Sequence, residues 1–181
     1  MKNLINLKKY GFVVSNNKRS FFSSSKPVLV RKSVAEALLK AKSFLPENHN
    51  FKVSEGFRSV EEQRKIVESC ERRFKKQYPK NWHNMLVRYT GGYKVLDEKP
   101  CPGSHMGGGA VDLTLVKGNR ELEMGGITFD ERDNLNYYEK KKRLTKKEKE
   151  IKESRRILKK AMRKAGFKAY IPEWWHWGYK D

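Results

Sequence analysis

Two cysteines in 181 residues are too few for a disulfide scaffold. No apolar run approaches the ~18 residues of a membrane-spanning helix, so an integral membrane helix is excluded. Acidic residues are scarce, with 21 Asp+Glu against 41 Lys+Arg, and the formal charge is +20. There is no internal repeat, which removes solenoids and propellers, and no HExxH pair, which removes the helix-borne zinc proteases that carry it. Hydrophobic residues reach only 37%, but 12% are aromatic and four are Trp, which favours a folded protein over a disordered one. A chain of this length buries roughly 70% of its unfolded surface, enough for one domain without staples.

The positive charge is concentrated. Residues 1–35 hold eight Lys/Arg and no acid, and residues 139–164 hold 14 Lys/Arg against four Glu. Such a segment can be an electrostatic footprint for nucleic acid, anionic lipid or an anionic polymer. It can equally be a solvated helix face. The second reading is favoured, because no aromatic residue sits inside the basic helix to stack on bases, so nucleic acid is not expected as a partner. The N-terminus lacks the continuous apolar core of a secretory signal. Lys18–Ser25 (KRSFFSSS) is basic, Ser-rich and acid-free, as organelle transit peptides are, although an ordinary exposed arm is the simpler reading. The default is therefore a reducing cytoplasm with Cys70 and Cys101 as free thiols; a periplasmic or organellar location stays open.

Three helix starts carry the capping-box pattern, Ser33–Glu36, Ser59–Glu62 and Thr145–Glu148. The first opens a helix ended by Pro46, and the second a helix ended before Pro79. The third opens a helix with a narrow apolar stripe, Ile151, Leu158, Ala161, Met162 and Ala165, and Gly166 at its C-terminal cap. Residues 27–31, 50–57, 109–116, 167–171 and 174–179 are β-type runs. Residues 90–92 and 97–109 read as loops, and 119–138 takes no assignment. Helices and strands do not alternate regularly. The expected class is α+β, with helices packed on a small, mainly antiparallel sheet in a single compact domain over 26–181, preceded by a basic arm over 1–25.

Of four histidines, two have unusual surroundings. His105 lies in the Gly-rich loop GSHMGGG that runs into the apolar strand AVDLTL. Asp112 interrupts that strand, and a carboxylate there is costly to bury unless it is paired or bound to a metal. His176 lies in PEWWHWGY, three residues after Glu173. Two His and one Asp make a ligand set for catalytic zinc, leaving the fourth position to water, and Glu173 is placed as the further carboxylate that accepts the water's proton. Trp174, Trp175 and Trp177 would lower the local dielectric. In an ideal strand, residues i and i+3 face opposite sides, so 173–176 must turn for both groups to meet one metal. Each residue also has an ordinary alternative: a loop His105, an Asp112 paired with a buried Arg, and a Glu173 and His176 on the surface. Cys101, four residues before His105, could be mistaken for a ligand, although Asp112 completes the set without it. Cys70 suits helix packing, and His83 suits a surface or packing role.

GSHMGGGAVDL resembles the SxHxxGxAxD metal motif of zinc peptidases that cut D-alanyl peptides, and EWWHW resembles their ExWH motif. GFRSVEEQ (56–63) is similar to the G-[YF]-R segment before a helix in the same family. LEMGGITFDE (122–131) resembles the MGxxFDE stretch of the D-alanyl-D-alanine dipeptidases, the VanX type. These motifs run in the family's order over about 34–181. The resemblance implies one Zn²⁺ on His105, Asp112 and His176, with Glu173 shuttling the proton from water to the leaving amine. It implies that Arg58 holds the substrate carbonyl oxygen, that Asp130 binds the free ammonium of a small D-dipeptide, and that Ser104 helps hold its carboxylate. Cell-wall recycling or precursor depletion would follow. Gly103 stands where the family has Ser, and the family's aromatic arm has candidates here only in Tyr10, Phe21 and Phe22. Two rivals remain: a D,D-carboxypeptidase or murein peptidase with the same metal site, and a basic nucleic-acid or polymer binder with a non-catalytic one.

Overall fold

A computed structural model describes residues 4–14 and 27–180. The expected arm boundary at residue 25, and Phe21 and Phe22, lie outside the described residues. Strands β1 (Leu4–Asn6) and β2 (Val13–Val14) flank a 3-10 turn, which Asn6 caps by accepting the Lys8 N–H at 3.0 Å. Strand β3 (Leu29–Arg31) leads into helix α1 (Lys32–Lys42), and β4 (His49–Glu55) is followed by α2 (Val60–Gln77), α3 (Trp82–Thr90) and α4 (Lys94–Asp97). Then come β5 (Ala110–Lys117), β6 (Arg120–Glu121), α5 (Tyr137–Lys140), α6 (Lys146–Lys164), β7 (Lys168–Ala169) and β8 (His176–Gly178).

The main sheet has the order β2-β4-β5-β8-β7, with β6 also paired to β5; only the β2–β4 pair is parallel. β1 and β3 form a separate antiparallel ribbon. The class is α+β, as the irregular order of elements implied. Phe51 and Val53 of β4, Leu113 and Leu115 of β5 and Trp177 of β8 meet Leu38, Val67, Phe74, Leu158 and Met162 of the helices in one core. Leu7 and Phe12 of the N-terminal segment are buried in the same core.

Two of the three capping boxes form. Ser59 accepts the Glu62 N–H at 3.1 Å while Glu62 accepts the Ser59 N–H at 2.9 Å, and Thr145 and Glu148 do the same at 3.3 and 2.9 Å. The box at Ser33 does not start the helix, because α1 begins two residues earlier than that box requires, with Arg31 as its cap. Arg31 is held extended from both ends: its N–H donates to Gly108 O at 3.1 Å, and its Nη2 donates to Pro102 O and Tyr179 O, each at 3.1 Å. The helix therefore begins at Lys32, and Ser33 falls inside the first turn. The apolar stripe of α6 is buried along its expected length.

Helix α3 carries no period long enough to announce itself. It forms because Met85, Leu86 and Tyr89 pack into the core beside α2, the usual source of stability for a short helix. The unassigned stretch 119–138 is likewise ordered by tertiary contacts. Buried Asp133 accepts from Thr128 N–H and Oγ1–H at 2.8 Å, Phe129 N–H at 2.7 Å and Tyr89 Oη–H at 3.1 Å. Arg155, buried on α6, donates to the carbonyls of Met124, Arg132 and Asn134 at 2.9–3.0 Å. One charge of the basic helix thus pins a loop.

The loop 101–109 lies so close to β8 that glycine is required. A Cβ at Gly109 would stand 1.9 Å from Pro102 O and 2.7 Å from Tyr179 O, both backbone atoms. Gly109→Ala is expected to cost about 3 kcal/mol as overpacking and to lower Tm by roughly 6–12 °C. Thermal unfolding followed by circular dichroism checks this; an unchanged Tm would mean that the loop can move away freely.

Candidate active site

β5 runs through the middle of the sheet, and its Asp112 stands opposite Glu55 of β4 and opposite His176 of β8. The register alone therefore brings Asp112 and His176 together. His105 arrives from the 101–109 loop, which folds back through Ser104. The Ser104 hydroxyl donates to Cys101 O at 2.7 Å and accepts the Gly107 N–H at 3.1 Å. The loop is also tied to the start of α2, since Arg58 N–H donates to His105 O at 3.2 Å. Glu173 and His176 are joined by a turn, with His176 N–H donating to Glu173 O at 3.2 Å. That turn supplies the bend an ideal strand lacks.

Three atoms meet. His105 Nε2 is 3.2 Å from Asp112 Oδ1 and 3.1 Å from His176 Nδ1, and His176 Nδ1 is 3.0 Å from the same Oδ1. The tautomer of His105 follows from its other nitrogen. Nδ1 is 2.7 Å from Gly56 O, which can only accept, so Nδ1 carries the proton. A neutral His105 then presents a lone pair to a carboxylate oxygen. With no proton on the atoms that meet, all three are acceptors and repel one another, and a cation among them removes that repulsion. Zinc bonds of about 2.0–2.1 Å in a tetrahedron place neighbouring ligand atoms ~3.3 Å apart, close to the triangle seen here. The donor set of two imidazoles and one carboxylate, with one imidazole oriented by a backbone carbonyl, fits zinc.

The triangle opens into a cavity of about 270 Å³ that Glu173, Arg58, Arg88 and Ser104 also line. Burial pushes the Glu173 carboxyl well above its ordinary pKa; Asp112 adds to this, while Arg58 and Arg88 oppose it. Burial acts on Asp112 in the same direction, but His105 and His176 outweigh it and hold that carboxyl well below the ordinary range. Arg58 is buried, and it is held at 3.1 Å through Nε by Glu55 Oε1 and at 2.6 Å through Nη1 by Gln63 Oε1. Gln63 is fixed in turn by donating to Thr90 O at 2.8 Å. Glu55 and Gln63 escape a reading of spacing. Their only sequence signal is their proximity to Arg58, and their role depends on a register shift in β4 and on the packing of α2 on α3.

Asp130 is not among the residues lining this cavity. Its carboxylate is taken by Arg132, with Nε at 3.0 Å and Nη2 at 2.5 Å, and by Thr128 Oγ1 at 2.8 Å. The physical reason is local: Asp130 caps the short 3-10 turn Glu131–Asp133, and Arg132 folds back onto it. Trp174, Trp175 and Trp177 do not line the cavity either; they are buried in the hydrophobic core. Tyr10 packs at the edge of that core, Cys101 is exposed, and Cys70 is buried on α2 with its thiol pushed up to about 12 by desolvation. His83 is exposed on α3, its ring edge-on to Trp82.

No helix among the described residues is long and apolar enough to cross a membrane. No curated protein matches the chain significantly. The family model described as D-ala-D-ala dipeptidase matches residues 8–181, a span that takes in the whole cavity. With that match over nearly the full length, and a donor triangle that fits the family's metal, the chain belongs to the D-ala-D-ala dipeptidase family of zinc peptidases.

Proposed function

We propose that the chain is a zinc-dependent dipeptidase that hydrolyses D-Ala-D-Ala or a similar D-dipeptide, with His105, Asp112 and His176 as metal ligands and Glu173 as general base. The observation that carries this reading is the meeting of His105 Nε2, Asp112 Oδ1 and His176 Nδ1 in the wall of the cavity that Glu173 and Arg58 also line. Zinc bound there supplies a Lewis acid for the scissile carbonyl and makes a water acidic near neutral pH.

The chain's own groups do the rest. Glu173 takes a proton from the attacking water as its oxygen bonds to the carbonyl carbon. It then delivers that proton to the amide nitrogen as the C–N bond breaks, leaving a carboxylate and a free amine. A carboxyl raised by burial suits both halves of this task, because its affinity for the proton is brought nearer to working pH. Arg58, locked by Glu55 and Gln63, donates to the carbonyl oxygen as negative charge develops on it. The cavity, about 270 Å³, has room for two alanine residues.

One observation favours the D,D-carboxypeptidase alternative. Asp130, the group implied for the substrate ammonium, is engaged by Arg132 outside the cavity. Rates of hydrolysis of D-Ala-D-Ala and of its N-acetyl derivative separate the two. The dipeptidase reading expects the free dipeptide to be cut at least 10-fold faster, with activity removed by EDTA and restored by zinc. Faster cleavage of the acetylated substrate would overturn it.

A further inference from the structure

We propose that Arg88 binds the C-terminal carboxylate of the substrate and makes the enzyme prefer free-acid peptides to their C-terminal amides. This rests on the peptidase reading above and assigns one end of the substrate to a named side chain.

The cavity is lined by charged side chains of both signs. Its two cations are Arg58 and Arg88. Arg58 is answered by Glu55 at 3.1 Å. Among the described residues, Arg88 has no carboxylate within ion-pair distance, and its Nε is buried without a hydrogen-bond partner. A buried guanidinium N–H left unpaired carries a desolvation cost that a ligand acceptor would remove. Two ordinary explanations for an arginine here fall short. It lies in the last turn of α3, where a cation complements the helix dipole, and its guanidinium lies 5.3 Å from the centre of the Tyr89 ring. Neither supplies an acceptor for Nε.

Its position is also fixed. The Tyr170 hydroxyl donates to the Arg88 carbonyl at 2.9 Å, tying the end of α3 to the segment that leads into Glu173. Gly91 closes the helix at φ 77°, so the chain turns away directly after Arg88–Thr90 and leaves the side chain facing the cavity. A dipeptide brings two formal charges, an ammonium and a carboxylate. The planar fork of a guanidinium matches a carboxylate with two parallel hydrogen bonds, which an amide with its single acceptor oxygen cannot reproduce.

The test is equilibrium binding to the zinc-loaded Glu173→Gln chain, measured by calorimetry with D-alanyl-D-alanine and with D-alanyl-D-alaninamide. The expected result is that the acid binds roughly 10- to 100-fold more tightly, the range for a charge-assisted pair. Adding Arg88→Ala or Arg88→Gln should abolish that preference, and Arg88→Lys should keep part of it. Arg88→Gln retains the stem over Tyr89 should the alanine variant fold poorly. Equal affinities for acid and amide, a preference that survives Arg88→Gln, or no binding of either ligand would each overturn the assignment. A native zinc-loaded chain that hydrolyses neither dipeptide would sink the peptidase reading, whereas the acid-to-amide ratio is read without turnover and answers for Arg88 alone.

Discussion

His105→Ala is expected to abolish stoichiometric zinc binding and hydrolysis together. His105 supplies one corner of the proposed ligand triangle, and its orientation is set by the Nδ1–H bond to Gly56 O at 2.7 Å. Apart from His176, which already forms another corner, no imidazole of the chain can replace it: His49 begins β4 and His83 is on α3. Loss of Lewis-acid polarisation, worth several kcal/mol, corresponds to roughly 10³-fold or more in rate. The readouts are metal content after dialysis, dipeptide hydrolysis and the response of Tm to zinc. At a hundredfold excess over Kd, a ligand stabilises the native state by about 2.7 kcal/mol, so zinc should raise the Tm of the native chain by roughly 5–11 °C and leave the variant unmoved. A variant that keeps one zinc per chain would show that the metal is held elsewhere.

Glu173→Gln separates chemistry from metal binding. The side chain is buried in the cavity wall and belongs to the turn before β8, not to the ligand triangle. Glutamine keeps its shape and removes the proton acceptor. Zinc content and the zinc-induced rise in Tm should therefore persist while kcat falls by ~10²–10⁴, the usual contribution of a general base. The variant should also be no less stable than the native chain, since burial raises the pKa of Glu173 and thus opposes its charged form. Activity within a few-fold of native would overturn the role of Glu173 and leave the metal site standing.

Much of this was legible in the residues because the signals were local. A carboxylate inside AVDLTL, two histidines in odd company and a glutamate three residues before one of them named the candidate triangle and base. The capping boxes of α2 and α6 and the stripe of α6 were equally readable, since each depends on contacts within a few residues. The box at Ser33 failed for a non-local reason: Arg31 is bound to Gly108, Pro102 and Tyr179, and this shifts the helix start. Asp130 is instructive in the other direction. Its motif points to substrate, but a neighbour two residues on, Arg132, takes its carboxylate.

The amino-acid order by itself determined which groups exist to do the chemistry and most of the elements that carry them, because periodicity, caps and a charged residue in an apolar run are short-range properties. Only the tertiary structure decided which groups share a cavity. The register of β5 against β8 sets Asp112 beside His176, and the folded loop 101–109 adds His105. Packing of α3 against α2 brings Gln63 behind Arg58 and leaves Arg88 in the wall of the cavity. Those arrangements depend on strand pairing and core packing between residues tens of positions apart, and no local pattern encodes them.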